Sequence, residues 1–245
     1  MYLFLKKIIS KLIPKKIIFK NESILRNIIG SFYIGKNHEC NVCKKKLRRF
    51  ISINNSDLLC PFCGSRQRTR RLWQLLENEL LTDNCRVLDF SPSRCLYRQL
   101  KKRETINYTS TDLSEDFIAD HQWDITNIPA ASNSYDLIVC YHILEHIQED
   151  NKAMEELERI LAPGGKIIIQ TPFKEGKIYE NDAIVSERDR IEHFGQKDHV
   201  RIYSVAGLKS RLENFKLKVT VLLYNEISSY NGLNDNEIIL LASKS

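Results

Sequence analysis

From Cys85 onward, short runs of β-branched and aromatic residues alternate with segments whose apolar residues recur at helical spacing. The β-rich runs fall at 86–90, 108–112, 136–141, 166–171, 217–224 and 237–242, and the helical patterns at 93–102, 150–161 and 204–213. Alternation of this kind predicts an α/β fold, a doubly wound sheet with mostly parallel strands. Only a loop, residues 225–236, separates the last two runs, which predicts a terminal hairpin and one antiparallel strand.

The chain before Cys85 has a different texture. Residues 65–81 read as a helix, with a stripe of Leu72, Leu75, Leu76 and Leu80 and arginines crowding its start. In residues 1–20, Leu5, Ile8, Ile9 and Leu12 share one helical face, with Lys6, Lys7, Ser10 and Lys11 away from it, until Pro14. Lysines break the apolar run, unlike a secretory signal. No apolar stretch reaches the roughly 18 residues of a transmembrane segment. Two readings stay open for residues 1–20: an interfacial helix on anionic lipid, or a helix packed on its own protein.

Charge sharpens this division. Residues 1–71 hold 17 Lys and Arg against 3 Asp and Glu, whereas residues 72–245 hold 20 against 28. A front end this basic suits a polyanion such as RNA or an anionic membrane surface, or serves only solubility. Seven cysteines, an odd number, argue against a secreted disulfide framework and for a reducing cytoplasm, with the inner membrane face as a peripheral location. Four of them form two tight pairs, Cys40-x2-Cys43 and Cys60-x2-Cys63, with 16 residues between the pairs. That is the spacing of a zinc ribbon, in which two turns present four thiolates to one structural Zn2+. The CPxCG turn ending at Gly64 fits it, and a segment this small needs the metal to fold.

In an open α/β sheet a ligand sits beyond the carboxyl ends of the strands. Asp89 lies in the first strand, VLDF, and Asp112 ends the next, 23 residues later. A carboxylate there can accept both hydroxyls of a ribose. Asp124, in the run WDIT, is placed to accept from the exocyclic amine of an adenine.

The run YDLIVCYHILEHIQED, followed by ELERILAPGGKIIIQTPF, resembles the fourth strand, next helix and fifth strand of class I S-adenosylmethionine-dependent methyltransferases. It is especially similar to the group that includes quinone-biosynthesis O-methyltransferases. The stretch FGQKDHVRIYS and the arginine-rich helix after the cysteines resemble bacterial methyltransferases with an amino-terminal zinc ribbon. The resemblance implies a seven-stranded, mostly parallel sheet behind the four-cysteine ribbon. It divides the chain into a basic amphipathic extension (1–36), the ribbon and start of a linking helix (37–71), and a methyltransferase domain (72–245). It implies S-adenosylmethionine as cofactor, held by Asp89, Ser91, Asp112, Leu113, Asp124, Ile125 and Cys140. The family's first loop is glycine-rich; here it reads Asp89-Phe90-Ser91-Pro92-Ser93-Arg94, with Ser91 and Ser93 offering hydroxyls instead.

Methyl transfer to a hydroxyl needs a group to take its proton, and histidine suits that near neutral pH. His142 and His199 are the candidates; a hydrogen-bonded Glu145–His146 pair, or a divalent metal on Glu145, His146 and a loop histidine, are the other readings of this cluster. Gly164 and Gly165 read as a turn before the fifth strand. Three functions remain: O-methylation of a small-molecule, glycan or lipid-linked acceptor; RNA methylation using the basic front end; or a non-catalytic zinc-ribbon interaction protein. The RNA reading lacks an Asn/Asp-Pro-Pro-Tyr/Phe signature after the fourth strand, where the chain reads Cys140-Tyr141-His142-Ile143.

Overall fold

The computed structural model describes residues 15–53, 57–114, 117–225 and 228–244, with side chains from residue 21. The amphipathic pattern of residues 1–20 therefore lies outside the described side chains. No helix among the described residues is long and apolar enough to cross a membrane.

The chain forms two compact units. The first holds the described residues up to Leu80, together with Ser93–Gln99 and Asn225–Glu237. The second comprises Leu81–Pro92, Leu100–Tyr224 and Ile238–Ser245. This division differs from the linear segments expected at 36 and 71. The helix after the cysteines and the loop of the terminal hairpin join the ribbon, because side chains distant in sequence bond there.

In the first unit, helix α1 (Lys15–Ser31) leads into two small antiparallel pairs, β1 (Ile34–Glu39) with β2 (Lys46–Leu47) and β3 (Ile51–Ile53) with β4 (Asp57–Leu59). Helix α2 (Gln67–Leu75) follows, and its last turn widens to π geometry over Leu76–Leu80. The predicted leucine stripe is buried at Leu72, Leu75, Leu76 and Leu80.

The second unit is built on β5 (Arg86–Phe90), which α3 (Arg94–Lys101, most of it in the first unit) follows in the chain, and on β6 (Asn107–Thr111), β7 (Tyr135–Tyr141), α4 (Asp150–Ile160) and β8 (Leu161–Gln170). After these come β9 (Tyr179–Glu180), α5 (Glu187–Phe194), β10 (Arg201–Ile202), α6 (Val205–Glu213), β11 (Leu217–Tyr224) and β12 (Glu237–Lys244). The main sheet runs β11-β12-β8-β7-β5-β6. Strands β6, β5, β7 and β8 are parallel, and β12 is antiparallel to β8. The central strands are buried on both faces, so they read as continuous apolar runs. Helix α4 buries Ala153, Met154, Leu157 and Ile160 against them, at the spacing of one helical face.

Two expectations need correction. The sheet has six strands among the described residues, not seven. Beyond β6 the described residues form no further strand but an isolated bridge, Thr111 to His121, with backbone bonds from Asp112 N to His121 O and from Asp120 N and His121 N to Ser110 O, each at 3.1 Å. Side chains take over the ladder there. The Ser110 amide and hydroxyl donate to Asp120 Oδ2 at 3.1 and 2.9 Å, and the Trp123 amide donates to Thr111 Oγ1 at 2.8 Å. A strand cannot extend where side chains have claimed the edge groups. Secondly, the turn expected at Gly164 and Gly165 lies inside β8. It is a register shift, since Tyr135 pairs with Leu161 but Leu137 already pairs with Lys166. Gly164 takes a φ of 74°, which a bulge of this kind favours.

Candidate active site and metal centre

Strands β6 and β7 flank β5 on opposite sides, so the chain leaves β5 in one direction and returns in the other. The carboxyl ends of these strands form the switch point where ligands bind in open α/β sheets.

Asp112 follows β6 and is 5% exposed. Its Oδ1 accepts from the Ser91 hydroxyl at 2.6 Å, and its Oδ2 from the Ser114 hydroxyl at 3.0 Å. Ser91 stands at a φ of 47°, a left-handed conformation that glycine adopts at less cost. Its amide donates to the Thr111 carbonyl at 2.7 Å, which with the hydroxyl bond holds the strained residue in place. The glycine-free loop thus keeps a glycine-like turn, and its serine hydroxyl occupies one oxygen of Asp112. Leu113, at 54% exposed, and Phe117 present apolar surface close to Asp112 in the chain.

The other expected cofactor residues are placed differently. Asp124 Oδ1 accepts from the amide and hydroxyl of Thr126, both at 2.8 Å, closing its own turn. Ile125 and Cys140 are buried in the core. Burial pushes the Cys140 thiol up.

Asp89 is buried, with a bond from the Tyr108 hydroxyl at 3.0 Å, and desolvation pushes its carboxyl up to about 7 from 3.8. With the folded value above the unfolded one, the native state holds the extra proton between them. The stability this group contributes is complete below about pH 4 and is lost as pH rises through 7. Between pH 6 and 8.5 the loss is about 1 kcal/mol. The Tm of Asp89→Asn relative to wild type, followed by scanning calorimetry, should therefore climb in the variant's favour over that range. A difference independent of pH would refute the buried, proton-holding Asp89.

Past β7, His142 sits at a φ of 61°, and its amide donates to the Gln170 carbonyl at 2.7 Å. Its Nδ1 lies 3.2 Å from Glu145 Oε1. Glu145 is 1% exposed; burial opposes its ionisation, but the bond from His142 and the nearby imidazoles win and hold its pKa below the usual value. His146 and His199 meet edge to face, ring centroids 4.7 Å apart. His199 is 4% exposed, and burial, then the neighbouring His146, lowers its pKa. Three buried side-chain atoms lack hydrogen-bond partners here: Glu145 Oε2, Gln170 Oε1 and Thr171 Oγ1. All belong to the carboxyl ends of β7 and β8 or the turn that follows. Native structures rarely strand buried polar atoms without a ligand or water to meet them, so this end of the sheet fits a polar ligand.

The sequence matches the family model described as a methyltransferase domain over residues 58–222, more than half of the chain. The chain belongs to that family. A 54-residue stretch is 43% identical to a demethylmenaquinone methyltransferase of Paenarthrobacter aurescens, covering 22% of this chain and 20% of that protein. Another is 37% identical over 57 residues to an uncharacterised protein of Methanocaldococcus jannaschii, covering 23% of this chain and 25% of that one. The chain thus spans about a quarter or less of the curated relatives it matches. The fold matches a SAM-dependent methyltransferase from Archaeoglobus fulgidus with a TM-score of 0.54 at 17% identity, covering 74% of this chain and 95% of that one. It also matches phosphoethanolamine N-methyltransferase 2 of Haemonchus contortus, solved with S-adenosyl-L-methionine, with a TM-score of 0.52 at 17% identity, over 71% of this chain and 52% of that one.

The chain carries its cysteine cluster in the first unit. The sulfurs of Cys40, Cys43, Cys60 and Cys63 all lie within 4.8 Å of one another. Cys40 and Cys63 are 3.6 Å apart, and Cys43 and Cys60 3.7 Å. A tetrahedral ion with bonds of about 2.3 Å would set its sulfurs roughly 3.8 Å apart, so the residues fit structural Zn2+. Two matching knuckles present them. The Lys44 amide donates to Cys40 O at 2.7 Å and the Gly64 amide to Cys60 O at 2.9 Å, with φ of 56° and 80° at those residues. Contact with the Cys40 sulfur pushes the Cys43 and Cys60 thiols up, and a central cation would let all four ionise together.

Several residues that hold these sites escaped the sequence reading. Arg70 is fully buried and donates to Ser65 O at 2.7 Å, Leu58 O at 3.0 Å and Gly232 O at 2.6 Å. Arg71 is buried too and donates to Asn234 O at 3.0 Å. These two charges are internal struts and not part of a basic surface. In the second unit, Arg201 bonds the carbonyls of Leu144, Ile147 and Gln148, bracing the turn that carries Glu145 and His146. Asp150 accepts from Tyr203 and Arg211 behind it. The bonds from Arg211, then Arg201, hold the Glu180 carboxyl at about 2. The signal was present in the stretch HVRIYS, of which only the histidine invited a chemical reading.

Proposed function

We propose that this protein transfers a methyl group from S-adenosylmethionine to a hydroxyl of a small-molecule, glycan or lipid-linked acceptor, with His142 as general base. The stranded polar atoms at the strand ends, in a chain of the methyltransferase-domain family, carry the reading. Asp112 is the residue for the ribose, and the exposed Leu113 and Phe117 suit a flat, apolar adenine face. The bound cofactor supplies a methyl carbon already activated by its sulfonium.

The protein's share is alignment and proton removal. Glu145 holds Nδ1 of His142 as the N–H, which makes Nε2 the basic nitrogen. With acceptor and cofactor bound, Nε2 would take the proton of the acceptor hydroxyl as its oxygen gains the methyl group and S-adenosylhomocysteine leaves. His199 is less suited, being 4% exposed where the His142 side chain is 18% exposed.

A lipid-linked acceptor is favoured by one surface feature. Ile24 and Ile28 on α1, and Phe32 just after it, are exposed large apolar residues, at 62%, 57% and 62% exposure. In a basic front end, such residues suit the surface of an anionic bilayer. The test is methyl incorporation from labelled S-adenosylmethionine into a bacterial lipid extract. His142→Ala should lower the rate by about 100-fold and leave S-adenosylhomocysteine affinity within about twofold. Undiminished transfer in the variant would remove the base, and no S-adenosylhomocysteine binding by the wild type would remove the whole reading.

A further inference from the structure

We propose that Glu145, His146 and His199 form a second metal centre, distinct from the four-thiolate site, for a divalent first-row transition cation such as Zn2+. The inference goes beyond the transferase reading and does not depend on it. One ligand atom from each of the three residues lies within 4.8 Å of the other two. Glu145 and His146 come from a single 3-10 turn, Leu144–His146, and His199 from the segment that enters β10. The Val200 amide donates to Glu145 O at 2.9 Å and clips the two segments together.

Each donor is oriented by a partner on its other side. His146 Nδ1 lies 3.3 Å from the Asp198 carbonyl and 3.4 Å from Asp198 Oδ2, which directs the lone pair to Nε2. A ring nitrogen of His199 bonds the Phe194 carbonyl. Glu145 Oε1 is engaged by His142, and Oε2 is buried without a hydrogen-bond partner. Metal-binding histidines characteristically give their second nitrogen to a carbonyl or carboxylate in this way. A hydrogen-bonded cluster built only for stability would not leave a buried carboxylate oxygen stranded beside two imidazoles.

The donor set decides the class of cation. Two imidazoles and one carboxylate suit zinc and its neighbours in the first transition row, whereas Mg2+ and Ca2+ prefer all-oxygen sites. Three protein ligands leave coordination positions for water or an oxygen of the acceptor, which is the pattern of a working site and not of a closed structural one.

The experiment uses the full-length chain with its ribbon metal in place, titrated with Co2+ after mild chelation. Expected is one further equivalent with weak visible bands of nitrogen and oxygen coordination, lacking thiolate charge-transfer absorption. His199→Ala and Glu145→Gln should each weaken that equivalent at least about tenfold. His146→Ala, whose side chain is 30% exposed, gives the same readout with less risk to folding. Wild-type chain that takes up no second equivalent, or variants that bind it as tightly as wild type, would overturn the site. S-adenosylhomocysteine calorimetry on the same samples separates the two proposals: binding without the Co2+ equivalent sinks only the metal, and the reverse sinks only the transferase reading.

Discussion

Asp112→Ala should weaken S-adenosylhomocysteine binding by about 10- to 100-fold, read by titration calorimetry, with the second unit still folded. Hydrogen bonds to a charged group contribute about 1.5–3 kcal/mol, and a ribose would lose its carboxylate partner. The free protein modulates the effect. The Ser91 and Ser114 hydroxyls already satisfy both oxygens of Asp112, so a ribose must displace them. Ser91→Gly serves as the opposing variant. It removes the competing hydroxyl and relieves a left-handed φ of 47°, so affinity should rise several-fold by the same titration. Unchanged affinity in Asp112→Ala would show that the nucleoside binds elsewhere. Weaker binding in Ser91→Gly would show that the serine is itself a ligand.

Cys60→Ser should abolish metal binding at the ribbon and unfold the first unit. Four thiols within 4.8 Å of each other are mutually repulsive once ionised, and an ion among them would hold them together. Structural zinc contributes about 10–16 kcal/mol of apparent binding free energy in small modules. No core of this size replaces that. Metal analysis should show the ribbon equivalent gone, and alkylation should reach cysteines that the wild-type metal protects. Arg70 is the reason the loss should spread through the unit. Its guanidinium ties Leu58, Ser65 and Gly232 together, so disorder at the knuckle frees the loop before β12 as well. The strands β11 and β12 would then be joined by a longer flexible loop, at an entropic cost that grows only slowly with length. Full ribbon metal content in the variant would disprove the four-thiolate centre.

Much of the sheet was legible because its signal is local. The strands at 86–90 and 217–224 match the expected runs, and helix α4 ends one residue before its predicted limit. The edge beyond β6 was not legible. Whether a strand forms there depends on whether Asp120 reaches Ser110, and no periodicity encodes that. The site divides the same way. Asp112 and His142, the residues proposed for the ribose and the proton, stand out by their position after a strand. Cys140 looked equally well placed, yet side chains alternate along a strand and the thiol went to the core.

The sequence by itself determined the alternating α/β architecture, the four-thiol metal pattern and the family, since each rests on residues a few positions apart or on a contiguous motif. Only the tertiary structure decided that Arg70 and Arg71 are internal, that the 225–237 segment belongs with the ribbon, and that Glu145, His146 and His199 share one cluster. Those facts come from contacts across 50 to 160 residues of chain. Burial and hydrogen-bond partners are properties of such contacts, and a residue's own neighbours in sequence do not specify them.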